Sequence, residues 1–294
     1  MRTILVPLDA SPLAERALPY AAGLASIAGA RLVLLRIPDR PPPGVRPSEI
    51  QGGAVSFAEE YLAEIADRFR ALGVAADTSV PEGSGVAAQG ILEAVRTREV
   101  DLVVMTTHGR SGLGRWVYGG VAHAVLAHCP VPVLLARAWL PPAESWPPTR
   151  SNHEILIPLD GSPAAEAGLS AAESLAHSLD WGLVLYRAGA AKGPDDPPTG
   201  EYHAAAAGYL SFPAAGSRLP QRPRIVVLTS PGRALGIMAE QAEASLVVMT
   251  AYGQGGPGRQ LLGSVTDFVL RSGTTPLVIL GPAAINAADQ SRGS

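Results

Sequence analysis

One cysteine, Cys129, stands in 294 residues, which excludes an intramolecular disulfide and suits a reducing compartment. Aromatic residues make up only 5% and charged residues 17% beside 47% apolar residues, the balance of an ordinary globular chain. Every apolar run is about a strand long before Pro, Gly or a charge ends it, so none reads as a bilayer span. Basic runs are missing and the net charge is -3, which argues against nucleic acid or an anionic membrane as the main partner. Met1-Arg2-Thr3 leads into apolar residues 4–8, but Pro7 and Asp9 cut that run short of a signal-peptide core. The expected location is the cytoplasm. Also lacking are a Gly-x-Ser-x-Gly elbow, a P-loop ending in Lys-Ser/Thr and a repeated His/Asp pair, so no catalytic residue is nominated.

The chain is long enough for two domains, each with its own core. Short continuous apolar runs at 4–8, 31–37, 101–106 and 131–136, with a weaker one at 74–80, read as strands covered on both faces. Between them lie helical patterns. Ser11 is the expected N-cap of the first, Pro12 its first residue, and Pro19 either a bend or a residue spared by its early position. The second carries Phe57, Tyr61, Ile65, Phe69 and Leu72, with Gly73 as C-cap. A third covers 86–96, and a fourth starts near Arg115 and ends near His128. This alternation predicts a doubly wound, mostly parallel sheet.

After a Pro-rich stretch the chain starts again. Glu154-Ile-Leu-Ile-Pro-Leu-Asp-Gly-Ser-Pro163 repeats Thr3-Ile-Leu-Val-Pro-Leu-Asp-Ala-Ser-Pro12. The run Leu-Val-Val-Met and the Gly-rich loop after it occur at Thr106-Thr-His-Gly-Arg-Ser-Gly-Leu-Gly-Arg-Trp-Val-Tyr-Gly-Gly-Val121 and at Thr250-Ala-Tyr-Gly-Gln-Gly-Gly-Pro-Gly-Arg-Gln-Leu-Leu-Gly-Ser-Val265. A buried strand entering such a loop and then a helix is how α/β proteins hold phosphate: glycines let the backbone approach the anion, and free N–H groups with the helix dipole attract it. The Ala-, Gly- and Pro-rich middle of the second copy, 188–223, carries the least defined helix.

On these residues each half resembles a universal stress protein domain, and the whole chain resembles a tandem universal stress protein. The first strand with its Asp (Val6-Pro-Leu-Asp9 and Ile157-Pro-Leu-Asp160) and the loop spacing from Gly109 to Gly119-Gly120, and from Gly253 to Gly263-Ser264, carry the resemblance. It implies two Rossmann-like, adenine nucleotide alpha hydrolase-like domains at 1–138 and 153–282, each a five-stranded parallel sheet with helices on both faces. Residues 139–152 form the linker, and 283–294 are expected as a disordered tail. It further implies that ATP, with or without magnesium, lies at the strand C-terminal ends. In the first half the implied contacts are Pro7, Asp9, Ile37, Thr106, His108, Gly109, Arg110, Gly112, Gly119, Gly120 and Val121. In the second they are Pro158, Asp160, Thr250, Gly253, Gly255, Gly263, Ser264, Val265 and Thr266. The family often pairs through its last strand. The two halves are therefore expected to pack as an internal pseudo-dimer, 131–136 beside 277–280, with a homodimer of the whole chain and an unidentified protein partner left open.

Two departures stand out. The motif's first Gly is Thr106 in one half and Thr250 in the other, which puts a side chain where nucleotide-binding members leave room. Gly120 lacks the hydroxyl that Ser264 keeps. Asp9 and Asp160 also have a bland reading, as carboxylates stabilised at a helix start. His123, His128 and Cys129 are read as structural, because their spacing does not suit a shared ion, and Trp116 and Tyr118 as packing residues. The expectation is a nucleotide-responsive, non-enzymatic regulator. The alternatives are a slow ATPase or self-phosphorylating protein, with Ser264, Ser111 or Thr107 as acceptor, and a nucleotide-free scaffold.

Overall fold

The computed structural model describes residues 1–38, 47–81, 86–108, 119–149, 152–188, 224–228, 244–253 and 261–292. The chain divides into two compact units, Met1–Pro147 and Pro148–Ser294.

In the first unit five strands, β1 (Thr3–Pro7), β2 (Arg31–Leu35), β3 (Ala76–Ser79), β4 (Leu102–Thr106) and β5 (Val133–Ala136), are joined by helices α1 (Leu18–Ala28), α2 (Pro47–Ala71), α3 (Ala87–Thr97) and α4 (Gly120–His128). The strands are parallel in the order β3-β2-β1-β4-β5. The chain winds outward from β1 to one edge and then returns to the other side of β1, as the alternation of runs predicts. The inner strands are mainly apolar, as burial on both faces requires: Ile4, Leu5, Val6, Leu32, Val33, Leu34 and Leu35 are wholly buried, whereas the edge strand β3 exposes Asp77 and Thr78.

Pro19 resolves into a break. A short 3-10 turn (Ala14–Ala17) comes first, and Pro19 then falls in the opening turn of α1, where no N–H is required of it. Ser11 caps the turn, its Oγ accepting from the Ala14 N–H at 3.1 Å. The helix α2 buries the expected Ile65 and Phe69 together with Ala58, Leu62 and Ala66, and leaves Phe57 and, just past its end, Leu72 exposed. Gly73 ends it at φ +80°, with the Val74 N–H returning to the Phe69 carbonyl at 2.9 Å. The expected helix start near Arg115 lies outside the described residues; α4 is described from Gly120. Past β5, the Arg16 guanidinium donates to the carbonyls of Ala138 and Leu140, and Trp146 is buried against Tyr20. Gly23 is small for this reason, since a Cβ there would run into the Trp146 carbonyl.

The second unit repeats the plan with β6 (Glu154–Pro158), β7 (Gly182–Ala188), β8 (Arg224–Leu228), β9 (Leu246–Thr250) and β10 (Leu277–Leu280), parallel in the order β10-β9-β6-β7-β8. Helix α5 (Pro163–Leu179) follows β6, and α6 (Ser264–Ser272) follows β9. Ser162 caps α5 by accepting from the Ala165 N–H at 3.1 Å, with Pro163 at the helix start. The helix expected in the middle of this half falls within 189–223, outside the described residues.

The tail departs from expectation. Residues read as disordered form helix α7 (Pro282–Arg292), which packs on α5 and buries Ala284 and Ile285. Pro282 suits a helix start, and two adjacent apolar residues give the segment a face to bury.

Candidate functional site

The site begins where two strands part. β1 stays paired with β2 as far as Pro7 opposite Leu35, but pairs with β4 only at Ile4 and Leu5. Leu8 donates back to the Leu35 carbonyl at 2.8 Å, and strand N–H groups alternate in direction. The N–H that Pro7 lacks would therefore have faced β4. Its absence leaves no unpaired donor at the point where a crevice opens between the strands. The second unit is built alike: β6 pairs with β9 only at Ile155 and Leu156, and Leu159 donates to the Tyr186 carbonyl at 2.8 Å beside Pro158. Such a gap, at the C-terminal edge where the winding reverses, is the physical ligand position of open α/β sheets.

Asp9 and Asp160 stand on the lip of each crevice. Each carboxylate folds its own turn, Asp9 Oδ1 accepting from the Ser11 N–H at 3.0 Å and Asp160 Oδ1 from the Ser162 N–H at 2.9 Å. The turn needs a left-handed residue between them. The second unit supplies Gly161 at φ +84°, whereas the first holds Ala10 at φ +62°, a strained backbone. Gly253 comes up against the Asp160 carboxylate closely enough that a Cβ at 253 would collide with it.

Across the crevice the Gly-rich loops are tied at their ends. The Gly119 N–H donates to the Thr107 carbonyl at 2.7 Å, and the Gly263 N–H to the Ala251 carbonyl at 2.8 Å. Both glycines are N-caps in the same conformation, φ -69° and ψ 163° for Gly119, φ -67° and ψ 161° for Gly263. Neither α4 nor α6 has a side-chain cap, so each helix presents its positive end to whatever lies above the crevice.

The expected residues meet these positions unequally. Thr106 donates from Oγ1 to the His108 carbonyl at 2.5 Å, and Thr250 to the Tyr252 carbonyl at 2.8 Å, so both threonine hydroxyls are turned onto their own loop. Thr266 is buried, with its hydroxyl on the Thr250 carbonyl at 2.9 Å, which leaves only its backbone for a ligand. Thr107 is wholly buried, accepts from the Ala138 N–H and lies 3.2 Å from His108 Nδ1, poorly placed as a phosphate acceptor. Gly120, Val121 and Ser264 are exposed at the helix starts. Ile37 leans onto α3, where a Cβ at Gly90 would lie 2.5 Å from its Cδ1. Gly109, Arg110, Ser111, Gly112, Trp116, Tyr118 and Gly255 lie outside the described residues. Cys129 is buried, which pushes its thiol up to about 11. Among the described residues no group of three or more His, Cys, Asp or Glu could hold a metal ion.

One residue at the site was missed. Arg36, directly after β2, is 7% exposed, with its guanidinium 4.9 Å from the Phe57 ring and 5.4 Å from the Tyr61 ring. Tyr61 donates to Glu15 at 2.9 Å; its phenol is held well above the ordinary tyrosine value by burial and by Glu15, against the pull of Arg36. The available signal was a charged residue ending an apolar run in both copies, as Arg36 and Arg187.

A parallel sheet with a strand-end carboxylate and an uncapped helix start at its switch point defines, twice over, a Rossmann-like α/β fold whose central strands part at their C-terminal ends. The universal stress protein family model matches residues 1–137 and again 151–281, and the chain belongs to that family. A universal stress protein of Mycobacterium tuberculosis strain H37Rv is 27% identical over 293 residues, covering 94% of this chain and 95% of the relative. Another from the same strain is 30% identical over 192 residues, and there the chain spans only 62% of the relative's length. Among solved structures, a universal stress protein of Archaeoglobus fulgidus matches with a TM-score of 0.72 at 20% identity, over 94% of this chain and 97% of that one. One from Pseudomonas aeruginosa gives 0.63 at 17% identity over 100% and 98%. These structures share the fold. No described helix is long and apolar enough to cross a membrane.

Proposed function

We propose that the chain is a nucleotide-responsive regulator that binds an adenine nucleotide, ATP, in at least one of its two units. The observation that carries this reading is the uncapped, glycine-started helix facing the strand-end carboxylate across the β1/β4 gap, and again across the β6/β9 gap. Phosphate would be held by the N–H groups of Gly120 and Val121, or of Ser264 and Val265, where the dipole favours an anion, while the Gly119 and Gly263 N–H groups close the loop. Asp9 or Asp160 would accept from the ribose hydroxyls. Gly109, Arg110, Gly112 and Gly255 enter on the family resemblance alone. Magnesium, if it accompanies ATP, would be held mainly by the phosphates.

Binding is favoured over turnover because His108, the imidazole that follows β4, is buried and bonded within its own loop and is not placed as a general base. Occupancy would fix the loop that Gly119 and Thr107 close, and thereby the surface offered to a protein partner.

Equilibrium dialysis of the full chain with ATP tests this, alongside Gly119→Pro and Gly263→Pro. Proline fits the φ of both positions and removes only the N–H that ties the loop. Binding lost in one variant identifies the working unit; no binding by the unaltered chain at about 1 mM ATP overturns the reading.

A further inference from the structure

We propose that residues 137–147 are a strap that couples nucleotide in the first crevice to docking of the chain that leads into the second unit. Nucleotide tightens the strap, and release of the strap weakens nucleotide binding. The inference rests on the nucleotide reading above and gives that site its regulation, in one of the two units. The strap meets the crevice at a single side chain. The Gly119 N–H closes the Gly-rich loop on the Thr107 carbonyl at 2.7 Å, and the Thr107 Oγ1 accepts from the Ala138 N–H at 3.1 Å. Thr107 is wholly buried, so neither bond can be handed to water, and loss of one leaves a costly unsatisfied group.

The strap is also held from the Asp9 side. Arg16 stands in the 3-10 turn that follows the Asp9 turn, and its Nη1 donates to the carbonyls of Ala138 at 2.5 Å and Leu140 at 2.6 Å. Farther along, Trp146 is buried with its ring 5.6 Å from that of Tyr20 on α1. Ala138 therefore bonds at once to the residue that closes the loop and to the turn behind the strand-end carboxylate. A ligand that fixes the Gly119–Thr107 closure fixes the acceptor of Ala138 with it, and linkage makes the effect reciprocal.

The second unit keeps the closure but not the residues that tie the strap. The Gly263 N–H meets the Ala251 carbonyl at 2.8 Å. In the register of the repeat, however, Ala251 stands for Thr107, and Pro282, which has no N–H, stands for Ala138. Ala167 stands for Arg16. Acceptor, donor and clamp are replaced together while the loop still closes, so the fold does not require them. The device belongs to the first unit.

The test is hydrogen exchange by mass spectrometry on the full chain, read at peptides covering 137–147, with ATP binding measured alongside. Saturating ATP is expected to slow exchange there by roughly 5- to 100-fold. Trp146→Ala, outside the residues assigned to the crevice, is expected to weaken ATP binding by about fivefold or more. Thr107→Ala installs the residue of the second unit, which removes the strap's acceptor but not the loop-closing carbonyl. In that variant bound ATP is expected to leave exchange at 137–147 unchanged, and adding Trp146→Ala to cost no further affinity. Thr107→Ser keeps the hydroxyl and is expected to keep the coupling. If Thr107→Ala does not fold, exchange in the unaltered chain and the affinity of Trp146→Ala decide. Three outcomes overturn this proposal and leave the nucleotide reading intact: ATP bound with exchange at 137–147 unchanged, slowing equally large in Thr107→Ala, or full affinity in folded Trp146→Ala. Failure of the unaltered chain to bind ATP overturns both.

Discussion

Ala10 is the residue at which the two copies differ most tellingly. Both Asp-containing turns demand a left-handed residue, and only the second copy has a glycine there. A non-glycine residue in that region is strained by roughly 1–2 kcal/mol, partly offset by its smaller loss of backbone entropy. Ala10→Gly should therefore stabilise the chain by about 0.5–1 kcal/mol in chemical denaturation; no change, or a loss, would show that the turn is not strained. Cys129 gives a second expectation at this scale. Buried, with its thiol pushed up to about 11, it should resist alkylation at pH 8 in the native protein and react fully after unfolding. Tyr20 and Tyr61 both hold their protons above the ordinary 10.0, chiefly through burial. Since the folded values are the raised ones, the stability they lend is complete below pH 10 and is lost as pH climbs beyond it, which alkaline melting curves would reveal. Asp9, Asp160, Ser11 and Ser162 were legible in the sequence because a strand, a turn and a cap follow one another within a few residues. Arg36 was not, because its burial depends on α2 folding back over β2 from a distant stretch of chain.

At the scale of elements, the loop spacing acquires a mechanical meaning. Gly119 in one motif and Gly263 in the other close a loop by an N–H to the residue after the strand and then cap a helix that has no side-chain cap, in nearly identical geometry twice. Gly253→Ala should disturb the second crevice directly, because the added methyl competes with the Asp160 carboxylate. Destabilisation of about 1–3 kcal/mol is expected, measured by denaturant titration, against little change for the same substitution at exposed Gly120. Strands read best from the sequence, since burial on both faces leaves an uninterrupted apolar run. The helices read less well. Periodicity placed Phe57 and Leu72 in the apolar stripe of α2, but the buried face is turned toward Ala58, Leu62 and Ala66, small or slim residues that let the helix approach the sheet. Helix α7 was missed because Ile285 is its one large apolar residue, the rest of the segment being alanines and polar residues without a marked apolar stripe.

For the whole molecule, duplication gives two crevices with one backbone plan and different linings. The first has Gly120 at the helix start and Arg36 buried against the Phe57 and Tyr61 rings, and the second has Ser264 there and an Asp160 carboxylate drawn up to Gly253. A ligand that binds only the folded chain must stabilise it, by about 2.7 kcal/mol at one hundred times its dissociation constant, so saturating ATP should raise the melting temperature by a few degrees. The most direct measurement of the central claim is nucleotide analysis of freshly purified, denatured full-length protein, with dialysis against added ATP. Adenine nucleotide released in stoichiometric amount, or rebound after removal and lost in Gly119→Pro or Gly263→Pro, is the predicted result. A chain that releases no nucleotide and binds none would contradict the account and make the paired crevices a scaffold retained without its ligand.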